Sequence, residues 1–96
     1  MNDFADYQAE DARLVILKEL HRQLDGRLNE GVLTRVLESF GHHHSREWVR
    51  TQLRKLEELG AITIIEIGSV FVAQITRAGR DHVELRSAIE GAARPA

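Results

Sequence analysis

The stretch SREWVRTQLRKLEELGAITIIEIGSVFVAQI, residues 45–75, decides how this chain folds. Ser45 stands where a helix cap is needed, because its hydroxyl can accept from one of the backbone N–H groups that a first turn leaves unpaired. From there Val49, Leu53 and Leu56 recur on one side at helical spacing, while Glu47, Arg50, Thr51, Arg54, Lys55 and Glu58 fall on the other. The helix is expected to reach about Leu59 and to stop at Gly60. β-Branched residues then take over at once. Ala61 to Ile67 and Val70 to Ile75 read as two strands, and Gly68-Ser69 between them suits a tight hairpin with glycine at a positive φ.

Working outward, Leu14, Leu17, Leu20 and Leu24 repeat at three- and four-residue steps, with Val15 and Ile16 widening the stripe, and predict a core helix over about residues 6 to 24. Asp25-Gly26 ends it. Asn29 offers a cap for a second helix through Val32, Leu33, Val36, Leu37 and Phe40, closed by Gly41. After the hairpin, Thr76 caps a fourth helix carrying Ala78, Val83, Leu85 and Ile89. Residues 1–8 and 91–96 read as frayed ends of one domain spanning 1–96. This order predicts an α+β fold, a winged helix-turn-helix with a three-helix core, a two-stranded β-hairpin wing and a C-terminal helix.

Composition narrows the functional classes. No apolar run is long enough to span a bilayer, and the start MNDFADYQAEDA is acidic where a secretory signal would be basic, so no membrane contact is expected and the cytoplasm is the expected compartment. The chain has no Cys, which excludes thiolate metal sites and a cysteine nucleophile. The net charge of −2 opposes a strongly basic nucleic-acid binder, but Asp3, Asp6, Glu10 and Asp11 carry that excess. Residues 12–96 hold 13 basic against 11 acidic groups.

His42, His43 and His44 are consecutive and cannot readily converge on one tetrahedral ion; with His21 and His82 elsewhere in the chain, no metal and no cofactor are expected. There is no Gly-rich phosphate loop, nucleophile elbow or facing carboxylate pair, so the chain is not expected to be an enzyme. Arg46, Arg50 and Arg54 stand four residues apart in a stripe, with Thr51 and Lys55 beside it. Such a row can read a DNA groove or grip phosphate; it can equally be a solvated helix face, since Glu47, Glu57 and Glu58 share the helix. Trp48 borders this face and reads as a seal over the turn before it. In the hairpin, Ile62 and Ile64 share one face and Ile65 and Ile67 the other, while Val70 and Val72 oppose Phe71, Ala73 and Ile75. Both faces are apolar. One packs on the helices, and the other calls for cover by the N-terminal segment, the fourth helix or a second copy, which makes a homodimer the expectation.

The segments FADYQAEDARLVILKEL (4–20), RLNEGVLTRVLESFGHHHSREWVRTQLRKLEELGAITI (27–64) and VFVAQITRAGRDHVELR (70–86) resemble the small winged-helix proteins of Mu-like phages and prophages, described as transcriptional-regulator-like. LEELG before a strand, and ITRAGR leading into a last helix, also occur across winged-helix regulators of the MarR and ArsR type. The resemblance implies a winged helix and a phage or prophage origin, and matches Ser45, Arg46, Arg50, Thr51 and Arg54 to a recognition-helix surface. The tip Glu66–Val70 departs from that pattern, for it carries no Lys or Arg.

Double-stranded DNA is therefore the first expected partner, bound through helix 45–59 by Ser45, Arg46, Arg50, Thr51, Arg54 and Lys55, with transcription as the regulated process. On this reading, reversing Arg50 and Arg54 abolishes binding without unfolding the domain. A protein-interaction module or adaptor in phage head assembly or DNA packaging, with a phage protein as partner, is the competing expectation.

Overall fold

The computed structural model describes residues 3–96. Four helices and a three-stranded antiparallel sheet follow one another as α1 (Phe4–Arg22), β1 (Arg27–Asn29), α2 (Glu30–Ser39), α3 (Arg46–Glu58), β2 (Ile62–Ile67), β3 (Val70–Ile75) and α4 (Arg77–Val83). Each helix begins on a side-chain cap. Asp3 accepts the Asp6 N–H at 2.9 Å while the Asp6 carboxylate accepts the Asp3 N–H, forming a capping box. Asn29 accepts from Val32, Ser45 from Trp48 and Thr76 from Gly79 at 2.9, 3.1 and 3.2 Å.

The last three helices end alike. In α2 the N–H of His42 reaches the Leu37 carbonyl and that of Gly41 reaches Glu38; in α3 Ala61 reaches Leu56 and Gly60 reaches Glu57. In α4 Arg86 reaches Asp81 and Leu85 reaches His82. This is the Schellman arrangement, whose turning residue takes a positive φ. Gly41 and Gly60 supply it without a Cβ penalty, at 89° and 78°, whereas α4 forces Leu85 to 63°.

In the sheet β3 is central, with strand order β1-β3-β2. The register pairs Leu28 with Ala73, Ile62 with Ile75 and Ile64 with Ala73, so these side chains and Phe71 share the inner face with period two. They close over Ile16, Leu17 and Leu20 of α1, Leu33 and Leu37 of α2, and Val49, Leu53 and Leu56 of α3. The outer face pairs Ile65 with Val72 and Ile67 with Val70. None of these four belongs to the core, and Ile67 and Val70 are exposed, so neither the N-terminal segment nor the fourth helix supplies the expected cover.

Several sequence expectations are corrected. The first helix ends two residues early, and Leu24, counted in its apolar stripe, lies beyond it in solvent. β1 is an additional strand, three residues long and too short to leave a period. The fourth helix stops at Val83, so Leu85 and Ile89 lie outside it. Of the C-terminal segment 91–96, expected to fray, residues 91–93 are tied down. Arg13 donates to the Gly91 carbonyl at 2.6 Å, Ala93 N–H to the Glu10 carbonyl at 3.0 Å, and Ala92 is buried. At the other end, helix begins at Phe4 within the segment expected to fray, and residues 1–2 lie outside the described residues.

Candidate nucleic-acid interface

α3 separates its two faces as its periodicity demands. Val49, Gln52, Leu53 and Leu56 are buried, and Arg46, Glu47, Thr51, Arg54, Lys55 and Glu58 are exposed. Trp48 is half-buried, and its ring stacks on His44 with centroids 3.7 Å apart.

The arginine row is not uniform. Arg50 turns inward and grips Glu30 with two parallel hydrogen bonds, Nε to Oε1 at 2.7 Å and Nη2 to Oε2 at 2.8 Å. It also donates to the Ser69 carbonyl in the hairpin turn, and its guanidinium lies 4.3 Å from the centroid of the Phe71 ring. Glu30 opens α2 and is 0% exposed; it accepts a further hydrogen bond from the Phe71 N–H at 2.6 Å. The Arg50 hydrogen bonds hold the Glu30 carboxyl below the ordinary carboxylate range, against burial, which pushes the other way. Reciprocally, the hydrogen bond to Glu30 raises Arg50. One ion pair thus joins the start of α2, the middle of α3 and the β2–β3 turn.

The other expected contacts remain outward. Arg46 is exposed, with Nε 3.8 Å from Glu30 Oε1. Arg54 is exposed too, its guanidinium 4.8 Å from the Phe71 centroid on the same ring that carries Arg50. The Thr51 hydroxyl donates to the Glu47 carbonyl at 3.1 Å, the Ser45 hydroxyl is engaged as the cap, and Lys55 lies in solvent. Five of the six residues therefore share an accessible surface, whereas Arg50 serves the fold. Reversing Arg50 would set a second carboxylate against Glu30, so that substitution perturbs the fold as well as any surface it presents. Glu30 itself escapes the sequence, because an acid just after an Asn cap reads as ordinary complement to the helix dipole.

The histidines have separate surroundings. His42 pairs with Asp11 at 2.7 Å, His44 covers Trp48, and His21 lies between Arg80 and Glu84. His82 is buried between the Ile89 N–H at 2.9 Å and the Ala93 carbonyl at 2.8 Å. Among the described residues no three His, Asp or Glu side chains gather as metal ligands, and no helix is long and apolar enough to cross a membrane.

No protein-family model matches the chain, and no solved structure does. Two proteins are similar over most of its length. One is the "Uncharacterized protein gp26" of Escherichia phage Mu, 36% identical over 90 residues that make up 94% of this chain and 93% of the phage protein. The other, an "Uncharacterized protein" of Haemophilus influenzae, is 37% identical over 75 residues, covering 77% of this chain and 72% of that protein. Identity at this level along nearly the whole of both chains carries the Mu resemblance beyond isolated motifs: the protein belongs to the family of phage Mu gp26.

Proposed function

We propose that this chain is a non-enzymatic winged-helix DNA-binding protein of the bacterial host cytoplasm, with α3 as its recognition helix and β2–β3 as its wing. The observation that carries this reading is the exposed side of α3, where Arg46, Arg54 and Lys55 project from a capped helix beside a hairpin. Phe71 restrains the Arg54 fork without satisfying its donors, leaving them for phosphate oxygens or a guanine edge. Arg50 holds helix and wing in one geometry. Transcriptional control in a phage or prophage is the process this activity serves.

Fluorescence anisotropy with labelled duplex DNA at two salt concentrations tests it. Arg54→Glu with Lys55→Glu lies outside the Glu30 network, so the variant should keep its thermal melt while losing about ten-fold or more in affinity and flattening the salt dependence. Unchanged affinity would sink the reading.

A second reading rests on the wing tip. Ile65, Ile67, Val70 and Val72 make an aliphatic outer face, and Glu66–Val70 carries no cation. That surface suits an adaptor that binds another phage protein in head assembly or DNA packaging. Absence of DNA binding even at low salt, with retention of a phage protein that Ile67→Glu releases, would favour the adaptor.

A further inference from the structure

The β2–β3 hairpin ends in an aliphatic pair. Ile67 and Val70 face each other across Gly68-Ser69 on the outer side of the sheet, 63% and 38% exposed, and neither belongs to the core. Glu66 is the only charged residue of 66–70; it pairs in register with Phe71 on the inner side and stands in the field of Arg50, so period two turns it away from Ile67. The outer surface of the tip is therefore small, branched and uncharged.

With no Lys or Arg, this tip cannot neutralise phosphate. An aliphatic side chain can instead enter a minor groove as a wedge, where it unstacks a base step and bends the duplex toward the major groove. A wedge needs backing, because unstacking resists it. Arg50 provides that backing: it donates to the Ser69 carbonyl in the turn while Glu30 holds the same guanidinium at 2.7 and 2.8 Å, and Glu30 also takes the Phe71 N–H at 2.6 Å. The tip is thus braced against α2 and α3 on both sides of the turn. Arg54, free to grip phosphate, lies over the ring of Phe71, the residue that follows Val70. The cationic side of α3 and the aliphatic tip are therefore neighbours on one continuous surface.

We propose that the hairpin tip is a minor-groove wedge: Ile67, with Val70 beside it, inserts at a base step next to the groove that α3 occupies and kinks the duplex there. The wedge rests on the DNA-binding reading above and adds to it the kind of DNA that is bound. Pyrimidine–purine steps such as TA kink readily, whereas A-tracts are stiff. The protein therefore selects deformable duplex at positions where it contacts no base edge.

Two duplexes of about 30 base pairs test it, equal in composition between G·C ends, one built of alternating TA steps and the other an A-tract. With a dye at each end and low salt, anisotropy reports binding and energy transfer reports bending. Wild type should bind the TA duplex about ten-fold more tightly than the A-tract and draw its ends together. Ile67→Thr with Val70→Thr keeps β-branched side chains at strand positions outside the core, so it should fold, as a melting curve checks; should it unfold, Ile67→Ala decides alone. The folded variant should still bind both duplexes through α3 but lose the preference and the bend. Equal, unbent binding of both duplexes by wild type, or a bend that the variant retains, would overturn the wedge and leave α3 as the reader. No binding of either duplex by wild type would overturn the wedge together with the DNA-binding reading, and would leave the tip to a phage protein.

Discussion

Glu30 and His82 are the most deeply buried polar side chains of the described residues, 0% and 1% exposed, and each holds a distant piece of chain in place by a different means. Glu30 is charged, so it requires a cation, and it takes Arg50 from the surface row of α3 together with the Phe71 N–H. His82 carries a donor at Nε2 and an acceptor at Nδ1, and two backbone groups suffice: the Ala93 carbonyl and the Ile89 N–H. The first arrangement removes a candidate DNA contact. The second orders a tail whose sequence reads as frayed. A buried group thus rewrites the surface around it according to whether a charge or only a hydrogen bond must be matched.

Removing Glu30 gives the largest expected effect. Glu30→Ala strands the Phe71 N–H and leaves Arg50 without its anion; the cost should be about 2–3 kcal/mol, below that of a fully buried pair because Arg50 reaches solvent and can rehydrate. Thermal melting should fall by about 10 °C or more, with faster amide exchange at the β2–β3 turn. A change within a degree would show that the pair is dispensable.

His82→Ala should cost about 2 kcal/mol, since it opens a cavity and leaves two backbone groups unpartnered. Its mark is positional. Exchange should quicken at Ile89 and Ala93 while the hairpin keeps its protection, the reverse of the Glu30 pattern; equal loosening of both regions would abolish the distinction between the two hubs.

The charge on Glu30 also predicts a pH dependence. Because its carboxyl is held below the ordinary value, its contribution is fully present above the pKa of an unfolded glutamate and is lost as pH falls through the lower, folded value. Denaturant titrations of wild type and E30Q at neutral and acid pH should show the gap between the two narrowing on acidification. A gap that stays constant would place the acid sensitivity elsewhere.

The smallest effect concerns the end of α4. Leu85 occupies the turning position that Gly41 and Gly60 fill in the preceding helices, and its side chain is exposed. Leu85→Gly should therefore stabilise by up to about 1 kcal/mol, less the entropy that glycine restores to the unfolded chain. A lower melting temperature would mean that the Leu85 side chain contributes packing.

What could be read in the chain was local. Asn29, Ser45 and Thr76 were recognisable as caps because each bonds an N–H three residues on. Gly41 and Gly60 were recognisable as stops, and Gly68-Ser69 as a hairpin turn, because backbone geometry acts over a few residues. The sidedness of α3 followed from spacing alone, and so did the accessible placement of Arg46, Thr51, Arg54 and Lys55.

Tertiary structure decided the remainder. Arg50 meets Glu30 across 20 residues, Glu30 meets Phe71 across 41, and β1 exists because Arg27, Leu28 and Asn29 find β3, with Arg27 reaching Gln74 across 47. Neither Arg50 nor Glu30 differs in composition or periodicity from its solvated neighbours. Sequence by itself determined where α2, α3 and α4 start, where the β2–β3 hairpin lies and which side of α3 faces out, because those outcomes depend on neighbours within a turn or a hairpin. Which arginine the fold consumes and which tail it orders were decided only when distant segments met, where desolvating a charge or a backbone group demands a match that the chain supplies from far away.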